Sequence, residues 1–407
     1  MNEKLLHTPE GVRDIYDDEM KKKQTVVERL LHELHLFGYQ DIETPAFEYF
    51  DIFNIDKGSA PSNEMFKFFD RNNNTLVLRP DITPSIARSA AKYYADEELP
   101  LRLCYHGHCF KNAHQHRGAL AEFTQVGGEL INDDSSASDA EIIACVIRCL
   151  LATGLTEFQI EIGDVGFFKG VIDAAGLDGE TEDKIRDYIH IKNFYGLSEY
   201  VSKLSVQGNI KKTLSSFDNL FGGIETLDTA EALVTNETSK DAIARMKRVS
   251  AALNAYGYGK YISFDLSMIN RYNYYTGICF RGYTYGTGDA VVKGGRYNRL
   301  LEQFGKDAPS VGFAIYVDDL MSAIARNKVE LPVEHTQNLI LFDREQHADA
   351  IALASKLRGE GQTTMMIRKS AHHTQAEYEE YARKRGFARL VCVKEDGSNE
   401  ILDICAG

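Results

Sequence analysis

Two stretches in which apolar and polar positions alternate, 101–110 and 122–130, flank a polar loop, and this pattern predicts an antiparallel strand–loop–strand. Upstream, Val27, Leu30, Leu31 and Leu34 fall on one face of a helix running from about Asp17 to Phe37, with Gly38 as its stop. Residues 66–69 and 75–78 read as a hairpin about the polar turn 71–74, and Thr83-Pro84 opens a helix with proline in the favoured first turn. Downstream, Ser138 with Glu141 three residues on reads as a capping box for a helix that reaches Thr153 and stops at Gly154. Cys145 and Cys149 share a face of that helix, which places them in a core. Alternation then predicts strands at 157–162 and through Ile262, Phe264, Leu266 and Met268. The intervening residues, about 170–259, are helical and free of motifs.

After a linker near 327–337 the tail reads strand (339–342), helix, strand (363–367), helix (375–385), strand (388–393), an order that suits a small α/β domain. The expected division is therefore a domain of residues 1–327, with a helical insertion at about 170–259, and a C-terminal α/β domain of residues 336–407.

Charge narrows the function. The chain carries 46 Lys and Arg against 60 Asp and Glu, a net charge of −14, which argues against an extended nucleic-acid footprint. The longest basic run, Lys21-Lys22-Lys23, opens the first helix and reads as a solvated face. No run of eighteen apolar residues predicts a membrane span, and the N-terminal residues lack the apolar core of a signal peptide. Seven scattered cysteines without a CxxC pair fit free thiols, so a cytoplasmic location is expected. His106, His108, His114 and His116 cluster with Cys104 and Cys109, but strand and loop do not aim them at one point, so no metal site is expected there.

Several blocks carry a resemblance. Phe110-Lys111-Asn112-Ala113 with Phe123-Thr124-Gln125-Val126-Gly127-Gly128-Glu129 resembles motif 2 of a class II aminoacyl-tRNA synthetase, in the histidyl-tRNA synthetase version. Leu78-Arg79-Pro80-Asp81-Ile82-Thr83-Pro84 resembles that family's Leu-Arg-Pro-Glu-x-Thr, in the form found in the regulatory subunits of ATP phosphoribosyltransferase, a synthetase-like branch of the family. Tyr274-Tyr275-Thr276-Gly277 resembles the end of the histidine-closing loop, and Gly294-Gly295-Arg296-Tyr297 the GGRY that follows it. Gly312-Phe313-Ala314-Ile315-Tyr316-Val317-Asp318-Asp319-Leu320 is similar to motif 3, and Thr44-Pro45 with Glu48 to motif 1, the dimer-forming segment. The resemblance implies an α+β fold: a class II synthetase-like antiparallel sheet with flanking helices, followed by the small α/β domain.

The resemblance also assigns residues. Positions that hold histidine in the family are here Asp81, Thr83, Gln125, Glu129, Tyr274 and Tyr275. Positions that hold ATP or activate the carboxylate are altered: Lys111 for arginine, Ala113 for glutamate, Asn270 for arginine and Asp319 for the motif 3 arginine. This pattern implies a regulatory subunit with no catalytic residues, no cofactor and no metal. The implied partner is the short catalytic form of ATP phosphoribosyltransferase, with histidine as effector and a homodimer inside a larger hetero-oligomer; tRNA and membrane are not expected partners. The alternative is an enzyme, a divergent histidyl-tRNA synthetase or another histidine-activating ligase, which the intact GGRY and the tail favour and Asp319 disfavours.

Overall fold

The computed structural model describes residues 6–53, 61–112, 120–269 and 275–404 and contains two compact units, Met1–Leu331 and Pro332–Gly407. In the first unit, helix α1 (Asp17–Leu36) leads to a two-residue strand β1 (Gln40–Asp41). A small antiparallel sheet follows, β2 (Phe47–Tyr49), β3 (Lys67–Phe69) and β4 (Thr75–Leu78), in the order β2-β4-β3. Helix α2 (Thr83–Tyr93), the hairpin β5 (Leu101–Phe110) and β6 (Glu122–Ile131), and helix α3 (Ser136–Ala152) come next. Strand β7 (Phe158–Asp164) and α4 (Val165–Ala175) open the insertion, which holds α5–α8 (Gly179–His190, Phe194–Ser202, Gly208–Leu214, Glu225–Glu231), a short β8 (Phe221–Gly222) and α9 (Glu237–Ala255). Strands β9 (Ile262–Asp265), β10 (Ile278–Thr284), β11 (Val292–Arg296) and β12 (Ser310–Tyr316) and helix α10 (Val317–Arg326) complete the unit.

Nine of these strands form one sheet in the order β1-β5-β6-β12-β11-β10-β7-β9-β8. All neighbours are antiparallel except β1 with β5 and β7 with β9. Period-two alternation separates its faces. Cys104, Val126 and Leu130 point to the side packed by α1, α3 and α9, whereas Leu103, Tyr105, Cys109 and Phe123 join Ile82 and Ile86 of α2 on the other side. Helix α1 buries Val26, Leu30 and Leu34 completely, as its apolar stripe requires. Helix α3 has no such stripe. Ile142 through Ile147, with Cys149 and Leu150, are fully buried because the helix lies between the sheet, α1 and α9.

An ion cluster ties these layers together. Arg296, at the end of β11, is 1% exposed and forms a 2.8 Å ion pair with Asp139 of α3, itself fully buried. The Arg296 guanidinium also donates to the Asp133 carbonyl at 2.9 Å and Ser138 Oγ at 2.8 Å. Arg245 of α9 reaches the other oxygen of Asp139 at 2.6 Å. The arginine of GGRY is thus a structural tie between sheet, α3 and insertion.

Four local expectations change. The N-cap of α3 is Ser135, whose side chain accepts from Ser138 N; the Ser138 hydroxyl donates back to the Asp133 and Ser135 carbonyls, and Glu141 pairs with Arg102. No capping box forms there. Strand β9 stops at Asp265 instead of Met268, because Asp265 accepts from Ser267 N at 2.9 Å and turns the chain. Lys23 is not on a solvated face: it is 8% exposed and forms a 2.8 Å ion pair with Asp318 of α10. The insertion, read as helical, also contributes β8 to the sheet edge.

The second unit has strands β13 (Asn338–Phe342), β14 (Thr364–Arg368), β15 (Arg389–Val393) and β16 (Asn399–Asp403) in the order β14-β13-β15-β16, with helices α11 (His347–Gly359) and α12 (Gln375–Lys384). Sequence periodicity misses β16, since the strand is mostly exposed and shows no alternation of burial. Thr374 and Glu377 cap α12 reciprocally.

Substituting Asp139→Asn leaves the buried Arg296 and the half-buried Arg245 facing a neutral amide, and removal of one partner of a buried ion pair costs about 3–5 kcal/mol. Urea or guanidinium unfolding of the variant is expected to show a loss of that size, and a loss under about 1 kcal/mol, the worth of a surface pair, would show that the cluster carries no such weight.

Candidate functional site

The residues matched to the histidine pocket converge only in part. Glu129 of β6 is fully buried, its Oε1 accepting from Thr83 Oγ1 at 2.6 Å and its Oε2 hydrogen-bonded to the Tyr297 hydroxyl. Tyr105, buried beneath it, adds a third hydroxyl contact to this carboxyl group. Glu129 faces Gly312 across the β6–β12 pairing, and a Cβ at Gly312 would collide with the carboxyl oxygen, so only glycine lets the acid lie flat on β12. Burial pushes the Glu129 carboxyl up to about 8, against the opposing effect of its hydroxyl partners, and the nearby Asp81 carboxylate adds to the rise. At neutral pH this acid is largely uncharged.

Asp81 sits half-buried just before α2, where its Oδ1 accepts from Ile82 N at 2.8 Å. The ring of Tyr275 lies against Gly295, where a Cβ would stand 2.7 Å from its Cδ1. Asp81, Thr83, Tyr275, Tyr297, Gly312 and Tyr316 line a cavity of about 50 Å³, room for a water or two but not for an amino acid. Gln125 is not among the residues lining this cavity: it is 2% exposed and its Oε1 accepts from Cys109 Sγ at 3.2 Å. Tyr274 lies outside the described residues, as do Ala113 and Asn270.

The positions that grip ATP in the resemblance have a different occupancy. Lys111 Nζ stands 5.5 Å from the centre of the Phe123 ring, the Phe123 and Tyr316 rings are 5.8 Å apart, and Lys293 Nζ stands 5.4 Å from the Tyr316 ring. Tyr316 stands where the motif 3 wording of the resemblance, Gly-Phe-Ala-Ile-Gly, has its second glycine, and its ring packs against that of Phe123. At the start of α10, Asp318 is held inward by Lys23 and by Thr124 N, which donates to it at 2.7 Å. Asp319 beside it is exposed, and partial desolvation together with the carboxylates of Asp289 and Asp318 raises its pKa. Of these neighbours, Asp318 pairs with Lys23 and Asp289 with Lys293 at 2.7 Å.

Tyr105, Tyr297 and Tyr316 are the participants that motif reading does not single out. Tyr297 and Tyr316 lie inside quoted motifs, and the glycine-to-tyrosine change at 316 is a readable signal; Tyr105 carries none, because its partner Glu129 is set by strand register. Arg79 of the Leu-Arg-Pro-Asp block is structural, donating to the carbonyls of His108, Thr44 and Pro45.

This sheet, its hairpin and the helix that follows β12 define a class II synthetase-like protein of the histidyl type. The histidyl-tRNA synthetase family model matches residues 11–320. A histidyl-tRNA synthetase structure from Nostoc sp. PCC 7120 shares the fold, with a TM-score of 0.80 over 98% of this chain and 96% of that one at 18% identity. A solved structure described as an ATP phosphoribosyltransferase regulatory subunit/histidyl-tRNA synthetase from Bacillus halodurans superposes with a TM-score of 0.84 at 33% identity, covering 93% of this chain and 96% of its own. The ATP phosphoribosyltransferase regulatory subunit of Acetivibrio thermocellus is 37% identical over 407 residues, all of this chain and 97% of the relative. The chain belongs to the histidyl-tRNA synthetase-like family of ATP phosphoribosyltransferase regulatory subunits.

The raised Glu129 pKa makes stability depend on pH. Its contribution is complete below the ordinary glutamate value of 4.5, declines as pH rises, and is lost through about 8. Wild-type protein is expected to lose about 1.4 kcal/mol per pH unit inside that window from this group. Glu129→Gln should flatten that slope and exceed the wild type in stability above pH 8. Parallel slopes for the two proteins in denaturant titrations at pH 5, 7 and 9 would count against a neutral Glu129.

Proposed function

We propose that this protein is a non-catalytic regulatory and activating subunit of ATP phosphoribosyltransferase, the first enzyme of histidine biosynthesis. The observation that carries the proposal is Asp319 at the start of α10, beside Asp318 and Asp289, where adenylation needs a phosphate-gripping arginine. A single lost transition-state donor costs about 2.7–4 kcal/mol, a hundredfold or more in rate. Lys111 beside the Phe123 ring supplies one cation without the fork geometry of arginine, and the Tyr316 ring packs against Phe123 at 5.8 Å. Purified protein should show histidine-dependent ATP–pyrophosphate exchange at background; clear turnover would favour a histidine-activating ligase.

The partner in this reading is the short catalytic form of ATP phosphoribosyltransferase, joined by a homodimer of this chain built through the motif 1 segment. Mixing the two purified proteins should raise phosphoribosyl-ATP formation, and histidine should lower it by the five- to 150-fold, or about 1–3 kcal/mol, usual for linked sites. A catalytic partner equally active alone and in the mixture, with no co-elution on a sizing column, would end this reading.

Histidine is the ligand the old pocket would take, with Asp81 for the ammonium group and Glu129 for the ring, and Thr83, Gln125, Tyr274 and Tyr275 shaping the rest. The cavity of about 50 Å³ is too small for the amino acid, so binding requires the residues that line it to move apart. Asp81→Asn is then expected to weaken histidine about ten- to a hundredfold, the worth of a charged hydrogen bond. Calorimetry on the assembled complex decides it, since unchanged affinity in the variant would place the effector elsewhere.

A further inference from the structure

We propose that His35, Asp41 and Cys104 form a site for a divalent transition metal, zinc by its donor set, at the β1 edge of the main sheet. Their three ligand atoms, an imidazole nitrogen, a carboxylate oxygen and a thiol sulfur, all lie within 4.8 Å of one another. His35 Nε2 is 3.0 Å from Asp41 Oδ2, and Cys104 Sγ is 3.5 Å from Asp41 Oδ1. Around a tetrahedral zinc ion with bonds of about 2.0–2.3 Å, ligand atoms stand about 3.3–3.8 Å apart, so small side-chain adjustments admit the ion.

The backbone holds these groups in place. The parallel register of β1 and β5 sets Asp41 against Cys104, and Ile42 N donates to the Cys104 carbonyl at 2.9 Å. The last turn of α1 delivers His35, and the negative end of the helix dipole favours a cation beside it. Cys104 is fully buried, yet its sulfur meets the exposed Asp41 carboxylate instead of apolar neighbours alone. A mixed nitrogen, oxygen and sulfur set suits zinc and excludes calcium and magnesium, which take oxygen donors. Among the described residues no other three such groups converge in this way.

On binding, the Cys104 thiol gives its proton to solvent and the thiolate coordinates, while His35 binds through neutral Nε2. His35 and Asp41 are exposed, so the fourth position opens to water. The ion would staple β1, only two residues long, to β5 and α1, at the root of the motif 1 segment.

The experiment uses the full chain, reduced and stripped by chelator, with cobalt(II) as the probe. One cobalt per chain is expected, with tetrahedral d–d absorption and a thiolate-to-cobalt charge-transfer band that zinc abolishes. Cys104→Ser should lose the charge-transfer band. Because that residue is buried, His35→Ala and Asp41→Asn, both at exposed positions, provide the second arm and should bind cobalt at least tenfold more weakly. Absence of the charge-transfer band in the wild type, or an undiminished band at equal affinity in both exposed-site variants, would overturn the proposal.

Discussion

The buried carboxylate of Asp139 is the constraint on which the larger unit depends. It sits between Arg296 from the sheet and Arg245 from the insertion, on a helix that is apolar on almost every side. An ionised group inside such a helix is tolerated only because both oxygens are paired and the arginines find further carbonyl and hydroxyl partners. The helix, the sheet and the insertion must therefore dock together. The arginine of the GGRY wording has this structural role, so its presence is no sign of adenylation chemistry.

The second constraint is the neutral acid. Glu129 lies where the resemblance places a ring-recognising carboxylate, but tyrosine and threonine hydroxyls occupy its oxygens and burial holds its proton. Tyr297 and Tyr316 close the space around it. Near the start of α10, Asp318 is anchored by Lys23 from α1, and Asp319 lies exposed beside it.

Local pattern determined much of this protein by itself. The α1 stripe, the 101–110 and 122–131 hairpin, the helix opened by Thr83-Pro84 and the tail as far as β15 follow from periods of two and 3.6 with their stops. The replacement of arginine by lysine at 111 and by an acid at 319, relative to the motifs the sequence resembles, is equally legible, because it belongs to residue identity. What only the tertiary structure decided depends on distant neighbours. Lys23 reads as a surface cation until α10 brings Asp318 to it, 295 residues away. Ser135 rather than Ser138 caps α3 because the Ser138 hydroxyl is drawn into the Arg296 cluster. Glu129 reads as charged until burial supplies the cost of ionisation, and the partner of Gln125, the Cys109 thiol, is one that the motif does not name. Sequence carries the chemistry of each side chain; its charge state and partner are set by the dielectric and the neighbours that folding brings to it.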